Sequence, residues 1–88
     1  MRIVKTDEIV IGDVIYHIHP GVYLGWSDRD RHAPGISITV CPGELLLVLD
    51  VVQPAINEQH TRVKCFSTLS VFWLQFYVHS DVKSLYKL

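Results

Sequence analysis

The sequence predicts an all-β domain, and three observations carry that expectation. The apolar runs are short and are separated by Gly, Pro, Asp and Asn, with no long window of three- and four-residue apolar spacing. Val, Ile, Tyr, Phe and Trp fill the runs, the residue types that suit a pleated, half-buried surface. Residues 43–52 read as a strand that is apolar on both faces. Side chains alternate along a strand, so Leu45, Leu47, Leu49 and Val51 point one way, and Leu46, Val48 and Val52 the other, with Asp50. One face of a sheet can fill the core of a small domain while the other meets water. The surplus face calls for a cover: the chain's own ends, a second copy or a partner.

Taken in order, residues 9–11 read as a first short strand closed by Gly12-Asp13. Residues 14–19 continue as a β-branched and aromatic strand, and His19-Pro20-Gly21 turns the chain. Residues 22–26 form an aromatic strand, followed by a polar loop over 27–35. Residues 36–40 alternate cleanly, which places Ile36, Ile38 and Val40 inward with Ser37 and Thr39 outward. Cys41-Pro42-Gly43 is a turn into the long strand over 44–52, and residues 53–60 are a second loop. Residues 61–67 alternate, with Val63 and Cys65 toward the core and Arg62, Lys64 and Phe66 away from it. Residues 67–70 suit a tight turn. In residues 71–78, Phe72, Leu74, Phe76 and Val78 share one side, and Val71, Trp73 and Tyr77 lie with Gln75 on the other. His79-Ser80-Asp81 supplies a capping signal for one helical turn, and residues 84–88 form a short closing strand or helical tail.

Eighty-eight residues suit one domain, 1–88, and a 49% apolar composition is enough to build a core. Charged residues make up 19%, below the usual quarter, as on a surface that carries an interface. The net charge is −1 and the basic residues are scattered, which argues against non-specific nucleic-acid binding. Protonating all five histidines would take −1 to +4, so an interface here would respond to pH. Cys41 and Cys65 are not closely spaced and read as free thiols of an intracellular protein. The first residues lack an apolar signal core and no run reaches the length of a membrane span, so a cytoplasmic, soluble chain is expected.

The order of strand, long polar loop, Pro42-Gly43-Glu44-Leu45, long strand, loop, strand, tight turn, strand and helical turn resembles that of SH3-like barrels. The resemblance covers roughly residues 14–88. It implies a small barrel of five to six short antiparallel strands, with one short helical turn near the C-terminus at residues 81–85. The mixed charges of Asp28, Arg29, Asp30 and Arg31, and the lack of a paired tryptophan after residues 53–60, depart from the polyproline-binding members. The texture is also similar to that of small bacteriophage barrel proteins, and SH3-like barrels serve many functions.

Candidate sites are few. His17 and His19 share a strand face with Ile15, read as solvent-facing, and could join His32, Cys41 or Cys65 in a zinc site, without recognisable ligand spacing. Cys65, His60 and Asp50 are loose candidates for nucleophilic chemistry, without an elbow or oxyanion turn; a buried cysteine is the expectation. Glu44 and Asp50 are too far apart along one strand to act as a carboxylate pair. No cofactor, metal or catalytic residue is therefore assigned, and no enzyme activity is expected. The expectation is a non-enzymatic interaction module, such as a phage-encoded inhibitor or adaptor that binds a host protein or self-associates. Its expected contact residues are Leu46, Val48, Val52, Trp73, Tyr77, Trp26, Arg29, Arg31 and His32. The alternative is a nucleotide-like ligand sequestered by Arg29, Arg31, His32, Trp26 and Tyr23. A weak nucleic-acid-binding barrel ranks third.

Overall fold

The computed structural model describes residues 2–29, 34–67, 70–77 and 81–88, with side chains for 5–29, 34–67, 70–76 and 85–88. The chain is all-β. Its strands are β1 (Arg2–Lys5), β2 (Val14–His17), β3 (Gly21–Ser27), β4 (Ile36–Val40), β5 (Leu46–Val52), β6 (His60–Ser67), β7 (Ser70–Tyr77) and β8 (Asp81–Lys87). They form one antiparallel sheet in the order β1-β8-β2-β5-β6-β7-β3-β4, curled into a half-barrel. Among the described residues there are thus eight strands, not five to six. β5, β6 and β7 are a meander, and β8 then crosses back to lie between β1 and β2.

β8 replaces the expected helical turn at residues 81–85. A strand paired on both sides, with β1 and with β2, satisfies its backbone groups along its length, and this outweighs a local capping signal. The one helical element among the described residues is a 3-10 turn at Thr6–Glu8, near the other end of the chain. Residues 9–11 are not a strand either. Ile9 plugs the core, and the chain then turns at Gly12, whose φ of 93° favours glycine. The Asp13 carboxylate accepts from the Val10 N–H at 2.9 Å and pairs with Lys87 at 2.9 Å, fastening this turn to β8.

The inner face holds Ile15, Val40, Leu46, Val48, Val63, Cys65, Leu74, Phe76 and Leu85, with Ile9. Val63 and Cys65 face inward as the alternation of β6 required. β5 inverts the expected assignment. Leu46 and Val48 are 0% and 1% exposed and belong to the core, whereas Leu47 and Leu49 are 39% and 37% exposed. Leu46 and Val48 are thus not the surplus face expected to await a partner. The cause is register: Val48 lies opposite Cys65 and Leu47 opposite Phe66, and β6 must keep Arg62 and Lys64 in water. A bulge between Val48 and Asp50 then resets the alternation. Unbroken alternation from Leu46 and Val48 would drive Asp50 into the core. With the bulge, Asp50 stands opposite Lys64, Val51 turns in against Val63, and Val52 turns out beside Arg62.

β4 follows its predicted alternation only in part. Val40 is buried and Ile38 half-buried, but Ile36 is 59% exposed, because β4 ends the sheet and only its last residues reach the core. On β2, Ile15 and His17 face the core and not solvent. The His17 ring is accommodated there by a hydrogen bond between its Nε2 and the Tyr23 hydroxyl, and Tyr23 in turn meets Phe76 edge-on at 4.8 Å.

Candidate functional site

The outer face of β5, β6, β7 and β3 is where exposed apolar, aromatic and cationic side chains converge. Alternation and register build it as three cross-strand rows. One row runs Val52, Arg62, Gln75; the next Asp50, Lys64, Trp73, Trp26; the third Leu47, Phe66, Val71. Side chains on neighbouring strands within such rows lie about 4.5–5.5 Å apart at Cβ, so each row is a line of contacts.

The middle row is fixed by one carboxylate. Asp28, in the turn just after β3, accepts the Trp73 indole N–H at 3.2 Å and pairs with Lys64 at 3.4 Å through the same oxygen. The ion pair is part-exposed, so its contribution to stability is small, about 0–1 kcal/mol. Its consequence is positional: Asp28 ties the Trp73 indole to the turn after β3, and that residue is 6% exposed. Trp26 stands opposite Trp73 in register, and the Arg62 guanidinium sits 5.4 Å from the centre of the Trp26 ring. Such a cation over an exposed indole contributes roughly 0.5–1 kcal/mol.

Two hollows open on this face. Trp26, Val52, Arg62 and Trp73 line the first, of about 240 Å³. Ser27, Asp28, Arg29, Phe66, Ser70 and Val71 line the second, a trough of about 540 Å³. Both are open to solvent on one side.

The contact residues expected from sequence divide accordingly. Trp26, Trp73 and Val52 come together in the first hollow, and Arg29 lies on the second. Leu46 and Val48 are withdrawn to the core. Tyr77 pairs with His60 at the end of β7, its side chain beyond the described set, and Arg31 and His32 lie outside the described residues. Arg62, Lys64, Leu47 and Phe66 were not expected as contact residues. Their outward or exposed position was readable for β6, but their place beside the tryptophans depends on strand register.

The other candidate chemistries are not assembled. Among the described residues no group of three His, Cys, Asp or Glu side chains is placed to hold a metal ion. His17 is in the core, His19 is exposed, and Cys41 is exposed while Cys65 is buried. Glu44 accepts a 2.5 Å hydrogen bond from the Ser67 hydroxyl, and Asp50 accepts from the Val51 N–H at 2.8 Å. Cys65 donates weakly to the Val63 carbonyl at 3.9 Å, and burial pushes its thiol up to about 12. It is a core residue and not an activated nucleophile.

That burial has a measurable consequence. The folded chain keeps the Cys65 proton, while the unfolded chain loses it near the ordinary value of 9.0. The Tyr23 phenol is raised by burial in the same direction. The unfolded state then binds fewer protons, so stability is fully present below pH 9.0 and falls as pH rises toward 12. The Cys65 share of the slope reaches at most about 1.4 kcal/mol per pH unit. Urea unfolding between about pH 8 and pH 10 is expected to show the fall, and Cys65→Ala to reduce it. A thiol reagent is expected to label Cys41 at once and Cys65 only on unfolding.

No protein-family model, curated protein or solved structure matches the chain.

Proposed function

We propose that the chain is a non-enzymatic protein-interaction module that binds a partner protein, or a second copy of itself, through the outer face of β3, β5, β6 and β7. The observation that supports it most is the side-by-side placement of Trp26 and Trp73 on the outer face with Arg62 stacked over Trp26. Trp and Arg are the residues most enriched among interface hot spots, and Leu47 and Phe66 add exposed apolar area beside them. Fully burying one such aliphatic or aromatic side chain contributes roughly 1.5–3 kcal/mol, before the costs of association.

The nucleotide-binding alternative is less well supported. Its residues divide between faces: Tyr23 hydrogen-bonds His17 inside the half-barrel, while Trp26 lies outside. The first hollow, at about 240 Å³, also falls below the span of about 300–1,000 Å³ usual for small-molecule sites, and the second, at about 540 Å³, falls within it but is lined by only Arg29 of these residues. It suits one inserted side chain better than a whole ligand. The SH3-like resemblance belongs to the same proposal. The β5-β6-β7 meander and the return of β8 beside β2 suit it, with a strand standing where the family has its helical turn. In this reading the module is a host-directed inhibitor or adaptor working in the cytoplasm.

The test is capture with paired variants. The immobilised wild-type chain is expected to retain a specific partner, or its own soluble copy. Trp26→Ala is expected to weaken that capture at least about ten-fold, a loss of about 1.4 kcal/mol or more. Ile11→Ala, at an exposed site in the turn before β2 and outside both hollows, is the control. Equal capture by all three chains would remove the outer face from consideration.

A further inference from the structure

Each hollow on the outer face brings apolar side chains beside one exposed guanidinium, and the second also has Ser27, Asp28 and Ser70 on its wall. Arg62 borders the first, beside Trp26, Trp73 and Val52, and Arg29 borders the second, beside Phe66 and Val71. Among the described residues neither arginine makes an ion pair. The acidic groups nearby are engaged within the chain: Asp28 by Lys64 and the Trp73 N–H, and Asp50 by the Val51 N–H. An arginine stacked on an indole still presents its N–H edge outward in a geometry that matches a carboxylate. Each hollow also has β7 on its wall. Trp73 and Val71, one on each, are two residues apart on β7, about 7 Å along a strand. That is the spacing of same-side residues in an extended chain.

Resting on the interaction reading above, we propose that the occupant of this face is an extended acidic segment of a partner protein. Its alternate apolar side chains enter the two hollows, and its carboxylates meet Arg62 and Arg29. Charge complementarity selects this occupant. A basic segment would meet the guanidiniums of Arg29 and Arg62, which have no ion-pair partner among the described residues, while the Asp28 carboxylate is already paired with Lys64. A second copy would bring a face with the same cationic excess, Arg29, Arg62 and Lys64 against Asp28 and Asp50.

The chain's two tryptophans both line the first hollow, so intrinsic fluorescence reports on it without a label. The probes are three tryptophan-free synthetic peptides: one alternating glutamate with leucine, and its glutamine and lysine counterparts. Adenosine monophosphate is a further probe. The glutamate peptide is expected to shift or quench the emission with saturation, and the glutamine and lysine peptides to bind at least about five-fold more weakly. Arg62→Gln is expected to weaken the glutamate peptide by roughly two- to five-fold, with Arg29→Gln acting in the same direction and added salt lowering the affinity of the wild type. Both sites are exposed, and a cooperative unfolding transition within several degrees of that of the wild type checks that each variant folds. Equal binding of the lysine or glutamine peptide, loss of affinity in neither variant, or a response to the nucleotide alone would overturn the acidic-segment assignment. So would silence toward every probe. Failure here with Trp26→Ala still abolishing capture would leave the interaction face standing with a different occupant.

Discussion

Leu46→Ala is expected to lower the free energy of unfolding by about 2–5 kcal/mol, and Leu47→Ala by less than about 1 kcal/mol. The two residues are adjacent and chemically identical, so the comparison isolates which way each points. Leu46 is fully buried opposite Ile15, and cutting its isobutyl group back to a methyl leaves a cavity among Ile15, Val48 and their neighbours that a close-packed interior closes only in part. Leu47 lies beside Phe66 on the outer face and keeps much of its surface in water. A domain of this size has roughly 5–10 kcal/mol of stability in all, so Leu46→Ala removes a large share and depresses the melting temperature by about ten degrees or more. Urea unfolding of both variants measures it. Equal losses would contradict the assigned faces of β5.

Gly25→Ala is the second large effect. Gly25 points inward from β3, opposite Leu74 and Ile36, and is buried. A methyl group there would stand 2.3 Å from the Trp73 carbonyl oxygen and 2.5 Å from Ile38 Cδ1. The isoleucine can turn aside, but the carbonyl is backbone and can yield only if β7 moves away from β3. The expected cost is about 1–3 kcal/mol, the usual range for forcing a group into a packed interior. The displaced segment carries Trp73, which faces Trp26 across the same strand pair. Gly25→Ala is therefore also expected to disturb the first hollow and to shift the tryptophan emission of the folded chain. Retained stability with unchanged emission would contradict the tight β3–β7 approach.

Much of the sheet was legible from residue patterns, because local alternation is written one strand at a time. The inward placement of Val63 and Cys65 follows from the need to keep Arg62 and Lys64 in water. Leu74 and Phe76 are buried as the alternation of β7 indicated. What failed depended on partners distant in sequence. β5 is apolar on both faces, so its own residues cannot choose between Leu46 and Leu47; the register against Cys65 and Phe66 chooses. The bulge after Val48 was equally hidden, although Asp50 among aliphatic residues was its trace. β8 carried a helix-capping signal and became a strand because two neighbours paired with it. His17 was read as solvent-facing and is buried, since its hydrogen-bond partner Tyr23 lies beyond a turn.

The candidate site was half legible for the same reason. Trp26, Trp73 and Val52 were singled out by residue type, as amphipathic aromatics and an exposed aliphatic. Only the pairing of β3 with β7 and of β6 with β5 brings them together and adds Arg62, whose outward position was plain but whose neighbours were not.

The two indole N–H groups of Trp26 and Trp73 allow the proposed binding face to be observed directly. In an amide-correlated magnetic resonance spectrum, addition of a captured partner is expected to move both indole signals and the backbone signals of Arg62 and Val52. The signals of the Tyr16–Tyr86 stack on β2 and β8 should stay in place. A spectrum in which β2 and β8 respond while both indole signals stay fixed would contradict the outer face around Trp26 and Trp73 as the surface this protein works through.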